Sequence, residues 1–278
     1  MAVLNEAGLT EEEFLKQYHP DDYERPSVTV DMMVLRMKPD FRCLQILLIK
    51  RKDHPFINCY ALPGGFIHMQ ESAYEAACRE LQEETGLTNI YLEQIYTMSK
   101  PDRDPRMRII DIAYAALLPF GYQANVKSGD DEKEASWFDI TFSEDYLKLW
   151  NEEKNIQIAY HLETRIFKNG ILTIKNKIPE KRIENSEKLA FDHADIILEE
   201  LTRLQNKVMY TDIAFNLVPK EFTLPDLQRV YEILLGKPLY KANFRDKIQP
   251  KIVSLDKVLK PMISTRPSKA YQYGGDEL

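Results

Sequence analysis

The chain has 278 residues, 44% hydrophobic and 29% charged, which is length for two domains and the balance of a folded protein rather than a disordered one. Its net charge of −7 is unevenly divided: +4 over residues 206–278 (12 basic, 8 acidic) and −11 over residues 1–205, which suggests two different kinds of partner. No apolar run nears the ~18 residues of a membrane span, and the acidic start lacks the basic head and apolar stretch of a signal peptide.

In chain order, residues 1–26 read as a polar arm with a short helix at 11–17, closed by Pro26. Segments 27–37 and 44–51, rich in Val, Ile, Leu and Met, read as buried strands, and 60–62 leads into the Pro63-Gly64-Gly65 loop. Residues 72–84 read as a helix stopped by Gly86. Strands are expected at 90–98, 108–118 and 135–140, and a hairpin at 156–163 and 171–177 around Asn169-Gly170. A connector helix is expected from about 187 to 205, with Leu189, Ile196, Ile197, Leu201 and Leu204 on one side. Helical patterns follow at 224–234 and 240–248, then an extended stretch with Pro261 and Pro267. Cys43, Cys59 and Cys78 fall in apolar surroundings without CxxC pairing, so small buried side chains and a reducing, cytoplasmic location are expected.

The chemistry concentrates in GFIHMQESAYEAACRELQEETGL, residues 65–87. On a helix, Glu80, Glu83 and Glu84 are related by i+3 and i+4 and share one face. Three carboxylates so placed repel one another, and a hard divalent cation removes that penalty; Mg²⁺ takes carboxylate oxygens together with water and phosphates. Ala73, Ala76 and Ala77 leave room for the helix to approach Gly64 and Gly65, and Arg79, four residues before Glu83, can orient it. A glutamate-rich helix face is also commonly just solvated. Against that stands the full pattern: Gly65, five residues, Glu71, seven residues, Arg79-Glu80-Leu81, one residue, Glu83-Glu84, one residue, Gly86-Leu87, placed behind an apolar strand and a glycine loop.

This pattern resembles the Nudix signature at every defined position. The resemblance implies a Nudix α/β/α sandwich with a mixed sheet, Glu80, Glu83 and Glu84 as metal ligands and catalytic acids with Arg79, Gly64 as a carbonyl ligand, and Gly65, Glu71 and Gly86 as the structural frame. It implies Mg²⁺, with Mn²⁺ as a substitute, and attack of an activated water on a diphosphate. The general base is left open, with Asp130, Asp131, Glu132 and Glu134 as candidates on a later loop. Residues 100–106, KPDRDPR, followed by a strand, resemble the corresponding segment of ADP-ribose pyrophosphatases, so Arg103, Arg106 or Arg108 is expected to meet a diphosphate or ribose; the same residues also suit a surface loop with internal ion pairs.

LAFDHADII (189–197) and TLPDLQRVYEILLGKPLYKANFRDKI (223–248) resemble the C-terminal half of Nudix-related transcriptional regulators of NAD metabolism, which add a winged helix-turn-helix. That implies a support helix at 224–234, a turn at Gly236, a recognition helix at 240–248 and a wing at 257–273. Lys241, Arg245, Lys247, Arg266 and Lys269 would then face double-stranded DNA; a winged helix can also serve protein interaction or dimerisation, and that alternative stays open here. The Ser264–Lys269 stretch is less rich in glycine and arginine than the wing of those regulators. The expected division is an arm (1–26), a Nudix domain with the added hairpin (27–187), a connector helix (188–205) and a winged helix domain (206–278). A homodimer and no membrane partner are expected. Two functions remain: a Mg²⁺-dependent hydrolase that cleaves a nucleoside diphosphate derivative such as ADP-ribose to AMP and ribose 5-phosphate, or a transcriptional regulator that senses ADP-ribose or a sugar ligand without turnover. Asp192-His193 on the connector and His54 are given no role.

Overall fold

Strand β1 (Ser27–Met37) carries the apolar run SVTVDMMVLRM through the middle of the molecule, and both of its faces are covered. Because side chains alternate along a strand, Val30, Met32 and Val34 go to one cluster while Met33, Leu35 and Met37 go to another. β1 pairs antiparallel with β2 (Leu44–Lys50) and parallel with β6 (Ile109–Leu117), which makes the sheet mixed. The computed structural model describes residues 3–19, 22–90, 92–122, 134–184 and 186–275.

β3 (Tyr60–Ala61) pairs with β2, and β4 (Gly64–Phe66) pairs with β1. The sheet continues through β5 (Glu93–Met98), β7 (Ala135–Phe142), β8 (Tyr146–Asn151), β9 (Ile156–Asn169) and β10 (Leu172–Arg182) in the order β10-β9-β8-β7-β2-β1-β6-β5. The hairpin strands extend further than expected, β8 was not expected at all, and β5 starts at Glu93 rather than residue 90.

The arm's helix α1 (Glu11–Gln17) is exposed throughout and closed by a Thr10–Glu13 capping box. Helix α2 (Ala73–Thr85) covers one face of the sheet through Ala76, Ala77 and Leu81. Its start is a Ser72–Glu75 capping box, and Gly86 ends it at φ 72°, the left-handed conformation that glycine adopts without a Cβ penalty. Helix α3 (His193–Lys207) covers the other face with Ile196, Ile197, Leu201 and Leu204, completing the Nudix α/β/α sandwich.

Beyond it, α4 (Leu224–Leu235), α5 (Lys241–Ile248) and the sheet of β11 (Glu221–Thr223), β12 (Ile252–Leu259) and β13 (Ser268–Tyr273) form a winged helix with strand order β11-β13-β12. Leu227, Val230, Leu234, Phe244 and Ile248 belong to the same buried cluster as Leu201 and Leu204, so the two domains share a core. Arg229 on α4 adds polar anchors, donating to the Phe41 and Arg42 carbonyls at 3.1 and 3.0 Å. No described helix is long and apolar enough to cross a membrane. The cysteines are free, as expected, but half-buried rather than buried; desolvation pushes the Cys43 thiol up to about 12.

The connector differs from expectation in one important place. Residues 187–192 are not helical: Leu189 bridges Tyr60 in parallel, the Ala190 amide donates to the Tyr60 carbonyl at 2.8 Å, and the helix begins at His193. The open backbone edge of the short strand β3 captures this segment before helical hydrogen bonding can, since each buried amide needs a partner.

Candidate functional site

The Gly64-Gly65 turn is built for close approach. Gly64 lies opposite Asp31 in the β4–β1 register, where a Cβ would sit 2.2 Å from the Val30 carbonyl oxygen. At Gly65 a Cβ would fall 2.1 Å from Glu80 Oε1, so the Glu80 carboxylate occupies the place of the missing side chain. The Gly64 amide donates to Glu84 Oε2 at 2.7 Å, and Glu84 is buried. The buried alanines of α2 permit this contact between helix and turn.

Arg79 binds the arrangement together. Its Nε and Nη2 take both oxygens of Glu71 at 3.0 and 2.7 Å, Nη1 reaches Glu80 at 2.8 Å and Glu83 at 3.1 Å, and Nη2 donates to the Phe66 carbonyl. The Arg79 hydrogen bonds, followed by the His68 amide, hold the Glu71 carboxyl down at about 2, and Glu71 in turn raises Arg79. Glu83 is the most open of the acids, its side chain 58% exposed. The donor set is hard and anionic, three carboxylates beside one backbone turn, which suits Mg²⁺. Among the described residues, no three acidic, histidine or cysteine side chains already converge as a metal cage; Arg79 instead neutralises Glu80 and Glu83.

The three arginines of residues 100–108 have separate placements. Arg103 is not the open-loop cation suggested by the sequence: its side chain is 4% exposed and pairs bidentately with Asp192 at 3.0 and 2.7 Å. Asp31 and Asp111 lie 3.7 and 3.9 Å away. Arg106 is half-exposed, gripped by Asp104 at 2.8 Å, with its guanidinium 5.6 Å from the Phe66 ring and 5.8 Å from the Phe191 ring. Arg108 donates to the Lys100 carbonyl at 3.1 Å. Of the candidate bases, Asp130, Asp131 and Glu132 lie outside the described residues, and Glu134 is paired with Lys154, which lowers its carboxyl.

Beneath the turn lies a buried polar cluster to which the sequence reading gave no role. Asp111 is fully buried and accepts from Thr29 Oγ1 at 2.9 Å; burial and the neighbouring Asp31 raise its carboxyl well above the usual range. His193 is buried, and desolvation lowers its imidazole, so the ring is neutral at pH 7. Its Nδ1 accepts from the Leu62 amide at 2.8 Å, which places the proton on Nε2, 3.4 Å from Asp31 Oδ2. The signal for the two acids was present: a single aspartate in the middle of each apolar strand, SVTVDMMVLRM and IIDIAYAAL.

In the winged helix, Lys241 and Arg245 lie on the exposed side of α5, and Arg266 and Lys269 are exposed around the wing. Lys247 is exposed as well, and its ammonium donates to the Met209 carbonyl at 3.0 Å. Phe244 holds α5 against Tyr231 of α4 at 5.3 Å, and the buried Asp226 accepts from the Met262 amide, fastening the wing.

The Nudix domain family model matches residues 25–156, and the model described as the NrtR DNA-binding winged helix domain matches residues 214–273. The chain is 32% identical to the ADPR responsive transcriptional repressor NtrR of Acinetobacter baylyi over 267 residues, 95% of this chain and 88% of the relative. It is 42% identical to the ADP-ribose pyrophosphatase of Methanocaldococcus jannaschii over 126 residues, 45% of this chain and 68% of that one. The crystal structure of Shewanella oneidensis NrtR complexed with a 27mer DNA is similar at a TM-score of 0.61 and 26% identity, over 90% of this chain and 94% of that chain.

Proposed function

We propose that this chain, which belongs to the family joining a Nudix domain to an NrtR-type winged helix, is a DNA-binding transcriptional regulator whose Nudix site takes ADP-ribose with Mg²⁺. The observation that carries the reading is the likeness to an ADPR-responsive repressor along 95% of the chain, through both domains. This reverses the order suggested by the Nudix box alone, in which the hydrolase stood first and the regulator second.

In this reading Glu80, Glu83, Glu84 and the Gly64 carbonyl hold Mg²⁺ or Mn²⁺. The metal, when bound, offsets the negative charge of a diphosphate and makes a water more acidic. Glu84, fixed by the Gly64 amide, keeps one carboxylate beside the turn. Arg79 holds Glu80 and Glu83 in place. Arg106, between Phe66 and Phe191, and Arg108 meet the ligand's phosphates or ribose. Lys241, Arg245, Arg266 and Lys269 meet the DNA backbone or base edges. A homodimer would present two winged helices to two half-sites.

A second activity is favoured by one observation: this chain keeps every acid of the box, Glu71, Glu80, Glu83 and Glu84. Slow hydrolysis of ADP-ribose by water, yielding AMP and ribose 5-phosphate, would then limit the lifetime of the signal. Calorimetric titration of ADP-ribose with and without Mg²⁺, on the wild type and Glu84→Gln, tests both. Mg²⁺-dependent binding with slow AMP release is expected, and AMP release should fall by orders of magnitude in Glu84→Gln. Absence of ADP-ribose binding refutes the regulator reading, and fast turnover without DNA binding returns the chain to a hydrolase.

A further inference from the structure

The elements of the turn and of the connector are interlocked in a way that the Nudix box does not require. The chain approaches Gly64 through Tyr60, Ala61, Leu62 and Pro63. Two of those residues are held by the segment that opens the connector: Tyr60 by Leu189 and Ala190, and Leu62 by His193 Nδ1. On the far side of His193, Asp31 lies opposite Gly64 in the strand register, with its Oδ1 2.5 Å from where a Gly64 Cβ would be. Arg103 closes the ring, joined to Asp192 and flanked by Asp31 and Asp111. Five charged or ionisable groups therefore meet in a largely buried site, Arg103, Asp111 and His193 deepest, where each is sensitive to the loss of a neighbour.

A second observation lies in the backbone. Phe191, between the paired segment and Asp192, sits at φ 48°, a left-handed conformation that is strained for a bulky residue. The conformation sets its ring 5.4 Å from the His193 ring and 4.9 Å from the Arg51 guanidinium, with Arg106 on the same ring at 5.8 Å. The strain is retained where connector, arginine loop and glycine turn meet.

We infer that Asp192 and His193, at the head of α3, are positioning residues of the Nudix site: His193 holds the Leu62 amide so that Gly64 reaches Glu84, and Asp192 holds Arg103 beneath the turn. The inference rests on the reading that Glu80, Glu83 and Glu84 bind the metal. The metal-binding unit then includes the connector's first residues and does not end at residue 187. The same helix carries Leu201 and Leu204 into the core shared with α4, so the turn is braced from the element that also supports the winged helix.

The test uses full-length protein and Mn²⁺ affinity read by electron paramagnetic resonance. His193→Leu, which removes the acceptor, should weaken Mn²⁺ binding at least tenfold. His193→Asn, whose side-chain oxygen can take the Leu62 amide, should recover it to within about threefold of wild type. Leu201→Ala, which lowers the unfolding temperature through the same helix without touching the turn, should leave Mn²⁺ affinity unchanged. A His193→Leu protein with a wild-type circular dichroism spectrum and wild-type Mn²⁺ affinity overturns the inference, as does failure of His193→Asn to recover it. Should His193→Leu not fold, Asp192→Asn decides by the same measurement: a loss of threefold or more supports the inference and an unchanged affinity overturns it. Absence of Mn²⁺ binding by the wild type overturns it together with the metal reading. Mn²⁺ binding that depends on His193, in a protein that ignores ADP-ribose, removes ADP-ribose as the ligand and supports the positioning role.

Discussion

Replacing each glycine of the turn by alanine should separate framework from function. Neither Gly64 nor Gly65 sits at positive φ, so alanine meets only a steric barrier. At Gly64 the added methyl group would lie 2.2 Å from the Val30 carbonyl oxygen and 3.0 Å from Asp31 Cα, against an ordinary contact of about 3.5–4 Å. Those atoms are backbone in a central strand, so β4 must move away from β1 and the Gly64–Glu84 hydrogen bond is lost. Overpacking costs about 1–3 kcal/mol, and a hydrogen bond to a charged group adds about 1.5–3 kcal/mol. Gly64→Ala should therefore lower the melting temperature by on the order of 10 °C at roughly 2–4 °C per kcal/mol.

At Gly65 the nearest atoms belong to the Glu80 carboxylate, at 2.1, 2.4 and 2.7 Å, and a side chain can rotate away. The cost there is about 0.5–1.5 kcal/mol for a displaced rotamer, or a few degrees. Mn²⁺ affinity should nonetheless fall at least tenfold, because Glu80 leaves the turn. Differential scanning calorimetry and Mn²⁺ titration of both variants check this. Equal stability loss in the two, or wild-type Mn²⁺ affinity in Gly65→Ala, would refute the reasoning.

Three further outcomes follow from named groups. Glu71 is depressed to about 2, so its share of stability is present above its ordinary value near 4.5 and lost as pH falls towards about 2; urea midpoints at pH 5, 3.5 and 2.5 should show that loss in the wild type and a smaller one in Arg79→Ala, where only the His68 amide still holds the carboxylate, and parallel curves would contradict it. Asp111 is raised, so its share is present at low pH and lost as pH climbs through its folded value. Asp111→Asn should gain in melting temperature relative to wild type between pH 4 and pH 8, whereas a constant difference would count against a protonated Asp111. Arg245→Ala should weaken DNA binding and reduce the salt slope by about 1, the release expected for one phosphate contact; an unchanged slope would remove Arg245 from the interface.

The sequence was most informative where period and spacing carry the signal. The ends of β1 and α4, and the Gly86 cap of α2, follow from apolar runs, capping residues and glycine placement. The Nudix box placed Arg79, Glu71 and the three acids on one helix and its preceding loop; in the structure Arg79 joins Glu71, Glu80 and Glu83, and the Gly64 amide holds Glu84. What sequence could not supply was tertiary capture. Residues 187–190 carry a helical pattern but pair with strands, Glu187 with Ile158 and Leu189 with Tyr60, and Arg103 looks like a loop cation but is drawn into the body by Asp192, which is 89 residues away. Neither partner is visible to local pattern. Lys247 on α5 has a partner of the same kind, the Met209 carbonyl just past α3 and 38 residues away.

The most direct test of the account is fluorescence anisotropy of the duplex from upstream of the protein's own gene, titrated with the full-length chain and then with ADP-ribose in the presence of Mg²⁺. The account predicts salt-sensitive binding that ADP-ribose changes at least tenfold, with the effect lost in Glu84→Gln at matched DNA affinity. DNA binding that is indifferent to ADP-ribose, or equal and weak on every duplex, would contradict it.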